Sequence, residues 1–155
     1  MTVSVLFVCL GNICRSPLAE AAFREEAERL GLDVEADSAG IGGWHVGRPP
    51  DPRAISTARR NGIDISDRRA RQVTAGDFHN FDHIVALDAD NLTALERMRP
   101  PGARARLSLL LDHVRGRRGE AVADPYYQKA EQFDVTWADV RAGAQALARE
   151  IAAQQ

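Results

Sequence analysis

Short apolar runs alternate along the chain with segments in which apolar residues recur at helical spacing. Residues 3–9 are rich in β-branched side chains and short enough for a buried strand, and residues 34–38, 83–87 and 105–111 predict three more strands. Helices are predicted over residues 17–30, from Asp51 to Asn61, and from Asp88 to the Pro100 break. The inner face of a last helix is formed by Trp137, Val140, Ala144, Leu147 and Ile151. This order predicts an α/β three-layer sandwich with a central four-stranded parallel sheet flanked by helices.

The chain of 155 residues fits a single domain over residues 1–155, with 45% hydrophobic residues and a formal net charge of −2. That charge favours neither nucleic acid nor an anionic membrane as a partner, and no apolar run has the length of a bilayer. The N-terminus shows no signal-peptide pattern. Only two cysteines occur, both in one loop, so the chain is not a scaffold held by disulfides. This usage is typical of a reducing compartment, and we expect a cytoplasmic protein. Export without a cleaved signal stays open.

The loop after the first apolar run has the sequence Cys-Leu-Gly-Asn-Ile-Cys-Arg-Ser-Pro, from Cys9 to Pro17. A loop that enters a helix N-terminus points several backbone N–H groups at one place, where an anion can bind. Gly11 and Asn12 tolerate the positive φ of a tight curve, and Arg15 can pair with two phosphate oxygens. The same positive field favours the thiolate of Cys9. The loop therefore predicts attack by the Cys9 sulfur on a bound phosphoryl group.

A structural cysteine before an ordinary strand-to-helix turn is the alternative, because the spacing of Cys9 and Arg15 alone is common. The complete loop, however, resembles the active-site loop of the low-molecular-weight protein tyrosine phosphatases, and the resemblance extends from Ser4 to the final helix. It implies a phosphotyrosine phosphatase without metal or cofactor, with Cys9 as nucleophile and Arg15 as phosphate clamp. It also implies that the phosphoryl oxygens are bound by the backbone of Leu10, Gly11, Asn12, Ile13, Cys14, Arg15 and Ser16.

A second motif, Ala-Asp-Pro-Tyr-Tyr, occupies residues 123–127. Taken alone, Asp-Pro is turn chemistry. In the family that the chain resembles, the general acid stands in such a motif, which implies that Asp124 is the general acid and base. The resemblance also implies a slot for the substrate ring, with Tyr126 as one wall and Trp44, on the glycine-rich segment 39–50, as the other. Packing of Trp44 in the core or on the surface is the alternative.

The resemblance further implies that Asn12 and Ser38 support the loop from behind. The family often adds a histidine there, and Arg68 stands at that position here, so Arg68 either replaces the histidine or points to solvent. Cys14 lies five residues after Cys9 in a curled loop, and the family shows such a pair. We therefore expect a redox disulfide between them. A small apolar filler is the alternative role for Cys14.

Two alternative hypotheses place the chain in a different class of protein. Thioredoxin-coupled arsenate reductases share the fold but use cysteines further downstream, and none follows Cys14. Phosphocarrier modules also use a cysteine-headed loop, but they need neither Arg15 nor a distant aspartate. The histidine pair at 79 and 83 lacks further ligands, and the arginine-rich stretches 68–71 and 115–119 lack interleaved aromatics. We therefore expect no metal and no nucleic acid. The expected protein is a monomer acting on phosphotyrosine proteins, with a bacterial tyrosine kinase or host proteins as candidate substrates.

Overall fold

The computed structural model describes all residues from 1 to 155. Its centre is one parallel sheet in the strand order β2-β1-β3-β4, which confirms the predicted sheet. The strands are β1 Val3–Cys9, β2 Val34–Gly40, β3 His83–Ala86 and β4 Arg106–Leu109.

The helices are α1 Arg15–Leu30, α2 Pro52–Arg60, α3 Asp77–Asn80, α4 Ala89–Met98 and α5 Gln132–Gln154. The first begins two residues before the predicted start, and the short α3 was not predicted. Asp51 and Asp88 cap α2 and α4 as predicted, since each carboxylate accepts a backbone N–H of the first turn. Gly31 ends α1 in the left-handed conformation, with φ 67°. No helix is long and apolar enough to cross a membrane.

The fourth strand is shorter than predicted. Strand β4 stops at Leu109, and Leu110–His113 forms a 3-10 helix that carries Leu110 and Leu111, both fully buried, towards α5. The contact with α5 is close: a Cβ on Gly143 would lie 2.4 Å from Cγ of Leu110. The apolar run therefore continues through residues 110 and 111 because they pack against a helix, and the prediction of a strand over them was wrong.

Alternate residues of β1 face opposite layers. Val5 and Phe7 join the larger core cluster with residues of α1, α2 and α5, whereas Leu6 and Val8 join a second cluster with α3 and α4 residues. The sheet thus separates two helical layers, as the predicted three-layer sandwich requires.

Strand β1 pairs with β2 on one side and with β3 on the other. The chain therefore leaves β1 at the point where the strand order reverses, and in open α/β sheets this is where ligands bind, beyond the carboxyl ends of the strands. The segments that follow β1, β2 and β3 all start from this edge, and the first of them holds Cys9.

Candidate active site

The phosphate loop, residues 9–16, curls between β1 and α1. The loop is fixed to the segment after β2, because Ile41 N donates to Cys9 O at 2.9 Å and Gly42 N to Leu10 O at 3.0 Å. Asn12 adopts φ 60° and is the only residue other than glycine with positive φ in the protein, whereas Gly11 does not need it. Cys14 is the N-cap of α1 and its side chain caps nothing, so the first N–H groups of the helix are left for a ligand.

The Cys9 sulfur is buried at the base of this curl. Its Sγ lies 3.0 Å from Ser16 Oγ and accepts the backbone N–H of Asn12 at 3.3 Å. Donors at this distance stabilise a negative sulfur, both when it attacks and when it is the leaving group.

Asn12 holds the loop from behind. Its buried Nδ2 donates to Ser16 Oγ at 2.8 Å and to Ser38 Oγ at 2.9 Å, and its Oδ1 accepts the backbone N–H of Arg71 at 3.0 Å. The structure therefore brings Asn12 and Ser38 together, as the family resemblance implied.

Arg68 is not part of this network, so it does not replace the family's histidine, and it does not simply point to solvent either. Its guanidinium pairs with Glu20 of α1 instead, with Nη1 3.2 Å from Oε2 and the side chain 41% exposed. The third partner of Asn12 is the main chain of Arg71, whose own side chain pairs with Asp37 and Asp77. Nothing in the local sequence distinguishes Arg71 from the arginines beside it.

Arg15 is 3% exposed, and its orientation is set by contacts from two other loops. Nη1 donates to Asp88 Oδ2 at 2.7 Å and to Val122 O at 3.0 Å, while Nη2 lies 3.8 Å from Asp124 Oδ2. Burial disfavours the charged guanidinium, but the negative charges of Cys9, Asp88 and Asp124 outweigh it and raise the Arg15 pKa. Sequence reasoning identified Asp88 only as a helix cap and missed this second role.

Asp124 stands on the acid loop, residues 123–128, above the phosphate loop. Its Oδ1 accepts the backbone N–H of Tyr126 at 3.1 Å, and its side chain is 41% exposed. A carboxyl group held by its own turn and open to a cavity is free to exchange a proton with a ligand.

A cavity of about 420 Å³ joins these groups. Cys9 and Arg15 line it together with Asp124, and the aromatic side chains around it are Trp44, His45, Tyr126 and Tyr127. Trp44 is 69% exposed and lies over Gly42, so it does not pack in the core. Tyr127, which sequence reasoning did not single out, packs edge-on against Tyr126 at 4.8 Å between ring centroids.

Cys14 is a buried free thiol in the same loop and also lines the cavity. Burial raises the Cys14 pKa, and the negative charges of Asp51, Cys9 and Asp124 raise it further. The thiol is therefore protonated at neutral pH. No group of three or more His, Cys, Asp or Glu side chains could hold a metal ion.

The family model for low molecular weight phosphotyrosine protein phosphatase matches residues 4–155. The chain belongs to this family. A curated family member from Schizosaccharomyces pombe is 46% identical over 134 residues, which cover 84% of this chain and 85% of that protein. Among solved structures, YfkJ from Bacillus subtilis is 42% identical with a TM-score of 0.92, over 100% of this chain and 98% of that one. The Drosophila arginine phosphatase DARP is 32% identical with a TM-score of 0.89, over 95% and 96% of the two chains.

Family membership confirms the resemblance inferred from the phosphate loop. It favours the phosphatase over the reductase and phosphocarrier readings, because the match extends through the acid loop to the final helix.

Proposed function

We propose that this member of the family hydrolyses phosphotyrosine in proteins through a phosphocysteine intermediate on Cys9. The observation that carries the proposal is the convergence of Cys9, Arg15 and Asp124, from two separate loops, on one cavity. A nucleophile, an anion clamp and a proton donor are the groups that phosphoryl transfer to sulfur requires.

In the first step the Cys9 thiolate attacks phosphorus, and the S–P bond forms as the bond to the tyrosine oxygen breaks. Asp124 gives its proton to that oxygen, which leaves as tyrosine. Backbone N–H groups from Leu10 to Ser16 and the Arg15 guanidinium hold the phosphoryl oxygens. Because Asp88 and Val122 O fix Nη1 of Arg15, the guanidinium is oriented before the substrate arrives.

In the second step water attacks the phosphocysteine. Asp124, now a carboxylate, takes a proton from the water while the S–P bond breaks, and phosphate and the Cys9 thiolate are released. The Ser16 hydroxyl, 3.0 Å from Sγ, stabilises the departing sulfur. Water is the only co-substrate, so the cycle closes without a cofactor.

The lining of the cavity favours an aryl phosphate. Trp44 and Tyr126 offer aromatic faces to a flat ring, and Leu10 and Ile13 add apolar surface. The relative DARP is an arginine phosphatase, but Asp124 is the only carboxylate in this lining. A phosphoarginine guanidinium would therefore have no further acidic partner, and phosphoarginine is the substrate to compare with phosphotyrosine.

We also infer that Cys14 protects Cys9 against irreversible oxidation. Peroxide converts an accessible thiolate to sulfenic acid, which condenses with a nearby thiol to a disulfide. Cys9 and Cys14 stand in the same curled loop and line the same cavity, so the Cys14 thiol is placed to reach an oxidised Cys9 sulfur.

The mechanism is tested with Cys9→Ser and Asp124→Ala on a series of aryl phosphates. Cys9→Ser should lose turnover yet bind vanadate, and Asp124→Ala should lose about 10²–10⁴-fold on phosphotyrosine. The loss in Asp124→Ala should be smaller for phenols of low pKa, which leave without a proton. Turnover by Cys9→Ser, or a need for added metal, would contradict the mechanism. A loss of equal size for every leaving group would show that Asp124 is not the acid.

A further inference from the structure

We propose that Arg53 is a positioning residue that holds the acid loop in register with the phosphate loop. Arg53 lies in the first turn of α2, outside both motifs that carry the chemistry. The inference rests on the proposed function, because it gives Arg53 a part in the proton transfer assigned to Asp124.

Two of the three external hydrogen bonds to the acid loop come from this one side chain, and the third, from Thr136 Oγ1 to Ala123 O at 3.3 Å, lies at the start of the loop. Arg53 Nη2 donates to Tyr126 O at 2.8 Å, and Nη1 donates to Gln128 O at 3.0 Å. The other hydrogen bonds of this stretch are internal, from Tyr126 N to Asp124 and from Gln128 N to Pro125 O. The remaining polar link is the 3.8 Å pair between Arg15 and the exposed carboxylate of Asp124.

The guanidinium is itself held rigidly. Its Nε and Nη2 donate to the two carboxylate oxygens of Asp51 at 3.0 and 2.9 Å, and these hydrogen bonds raise the Arg53 pKa. Its Cζ also lies 4.6 Å from the ring centroid of Phe133, which is fully buried at the start of α5. A planar fork with several fixed partners loses little further freedom when it binds two carbonyl groups.

Asp51 completes the connection to the phosphate loop, because its backbone N–H donates to Ile13 O at 2.9 Å. A continuous path of hydrogen bonds therefore runs from Ile13 through Asp51 and Arg53 to Tyr126. The nucleophile and the acid stand on loops far apart in sequence, and this path fixes the distance between them.

Breaking this path of hydrogen bonds should affect proton transfer specifically. A general acid must lie within hydrogen-bond reach of the leaving oxygen, and a displacement of about 1 Å can cost 10²-fold in rate. Loss of Arg53 should therefore weaken the step that needs Asp124 and spare the sulfur and the anion site. A substitution that only loosened the fold would weaken proton transfer, the reactivity of the sulfur and anion binding together.

The test measures kcat/KM of Arg53→Ala on a phosphotyrosine peptide and on an aryl phosphate with a strongly acidic phenol. We expect a loss of about 10–100-fold on the peptide and less than about threefold on the activated ester. The vanadate Kd and the rate of Cys9 alkylation should stay at wild-type values. Arg53→Lys should recover part of the loss, since an ammonium can still donate to one carbonyl.

Arg60→Ala is the matched control. Arg60 lies on the same helix and pairs with Asp134 of α5 at 2.7 Å, so its removal deletes a similar ion pair without touching the acid loop. It should leave both substrates unaffected. Circular dichroism and thermal melting establish that every variant is folded.

A double variant separates this inference from the proposed function. If Arg53 acts through Asp124, adding Arg53→Ala to Asp124→Ala should change phosphotyrosine turnover by less than about twofold. Independent multiplication of the two losses, a loss in Arg53→Ala that is equal for both substrates, or behaviour like Arg60→Ala would overturn the role of Arg53. If Asp124→Ala alone shows no dependence on the leaving group, the acid assignment itself fails and the Arg53 inference fails with it.

Discussion

Replacing Asn12 tests how the phosphate loop is kept in its curled form. Asn12 combines a φ of 60° with three buried side-chain hydrogen bonds, to Ser16, to Ser38 and from the main chain of Arg71. Asn12→Ala removes all three and places a residue with no polar side chain in the left-handed region. Asn12→Gly removes the same hydrogen bonds but accepts the backbone conformation.

The expected loss in the free energy of unfolding follows from these contacts. Three hydrogen bonds at about 1 kcal/mol each give a loss of about 3 kcal/mol in the free energy of unfolding. The positive φ adds about 1 kcal/mol for alanine, so Asn12→Ala should lose about 4 kcal/mol and Asn12→Gly about 3. For a domain of this size the corresponding fall in Tm is roughly 10 °C. The kcat should fall by about tenfold or more, since Cys9 and Ser16 lose their fixed geometry.

Urea denaturation gives the free energies, and steady-state kinetics on phosphotyrosine gives kcat. Asn61→Ala is the control, because Asn61 is an exposed C-cap at φ −103° whose side chain donates only to Thr57 O. It should cost no more than about 1 kcal/mol. A loss below about 1 kcal/mol in Asn12→Ala, or a glycine variant no more stable than the alanine one, would refute this account of the loop.

Three further predictions concern residues around the site. Arg68→Ala should keep kcat/KM within about twofold of wild type, because Arg68 pairs with Glu20 of α1, a buried carboxylate that Arg24 also holds, and not with the phosphate loop; a large loss would place Arg68 in the catalytic network. After inactivation by peroxide and treatment with dithiothreitol, wild type should recover activity and Cys14→Ser should not. The loop peptide of oxidised wild type should be lighter by two protons, and equal recovery of both proteins would make Cys14 a packing residue. Gly143→Ala should lose about 1–3 kcal/mol in urea denaturation, because its Cβ would overlap Leu110, and unchanged stability would contradict that packing.

The fold could be predicted because local signals agree with the final packing. The β-branched run at 3–9, the Asp51-Pro52 start of α2 and the Gly31 end of α1 each specify an element without help from distant residues. The prediction was wrong at residues 110 and 111, where apolar character alone does not distinguish a strand from a turn packed on a helix. These two residues pack on helix α5, which approaches Leu110 closely at Gly143, and this tertiary contact cannot be seen in the local sequence.

The residues of the site also divide into those that a sequence motif identifies and those that only the tertiary structure identifies. Cys9 and Arg15 were selected because the phosphate loop carries its chemistry locally, whereas Asp124 was selected because its motif resembles the one that holds the family's general acid. Arg71 and Arg53 were not selected, since Arg71 contributes its own backbone N–H and Arg53 donates to main-chain carbonyls of a distant loop. Arg68 shows the limit of position alone: it stands where a family histidine is expected, yet it points at Glu20, while Arg71 supplies the N–H that Asn12 accepts.

Two helix-capping aspartates also hold arginines of the site. Asp88 uses Oδ1 to cap α4 and Oδ2 to hold Arg15, and Asp51 caps α2 through Oδ1 while its carboxylate also holds Arg53. A cap needs only one oxygen, so the sequence signal for it is satisfied whether or not the carboxylate has another partner. At the carboxyl edge of a parallel sheet, the helices that follow the strands begin beside the ligand site. A capping aspartate there is therefore already placed to orient an arginine, and this is how a residue predicted only from helix chemistry comes to order the charges of the active site.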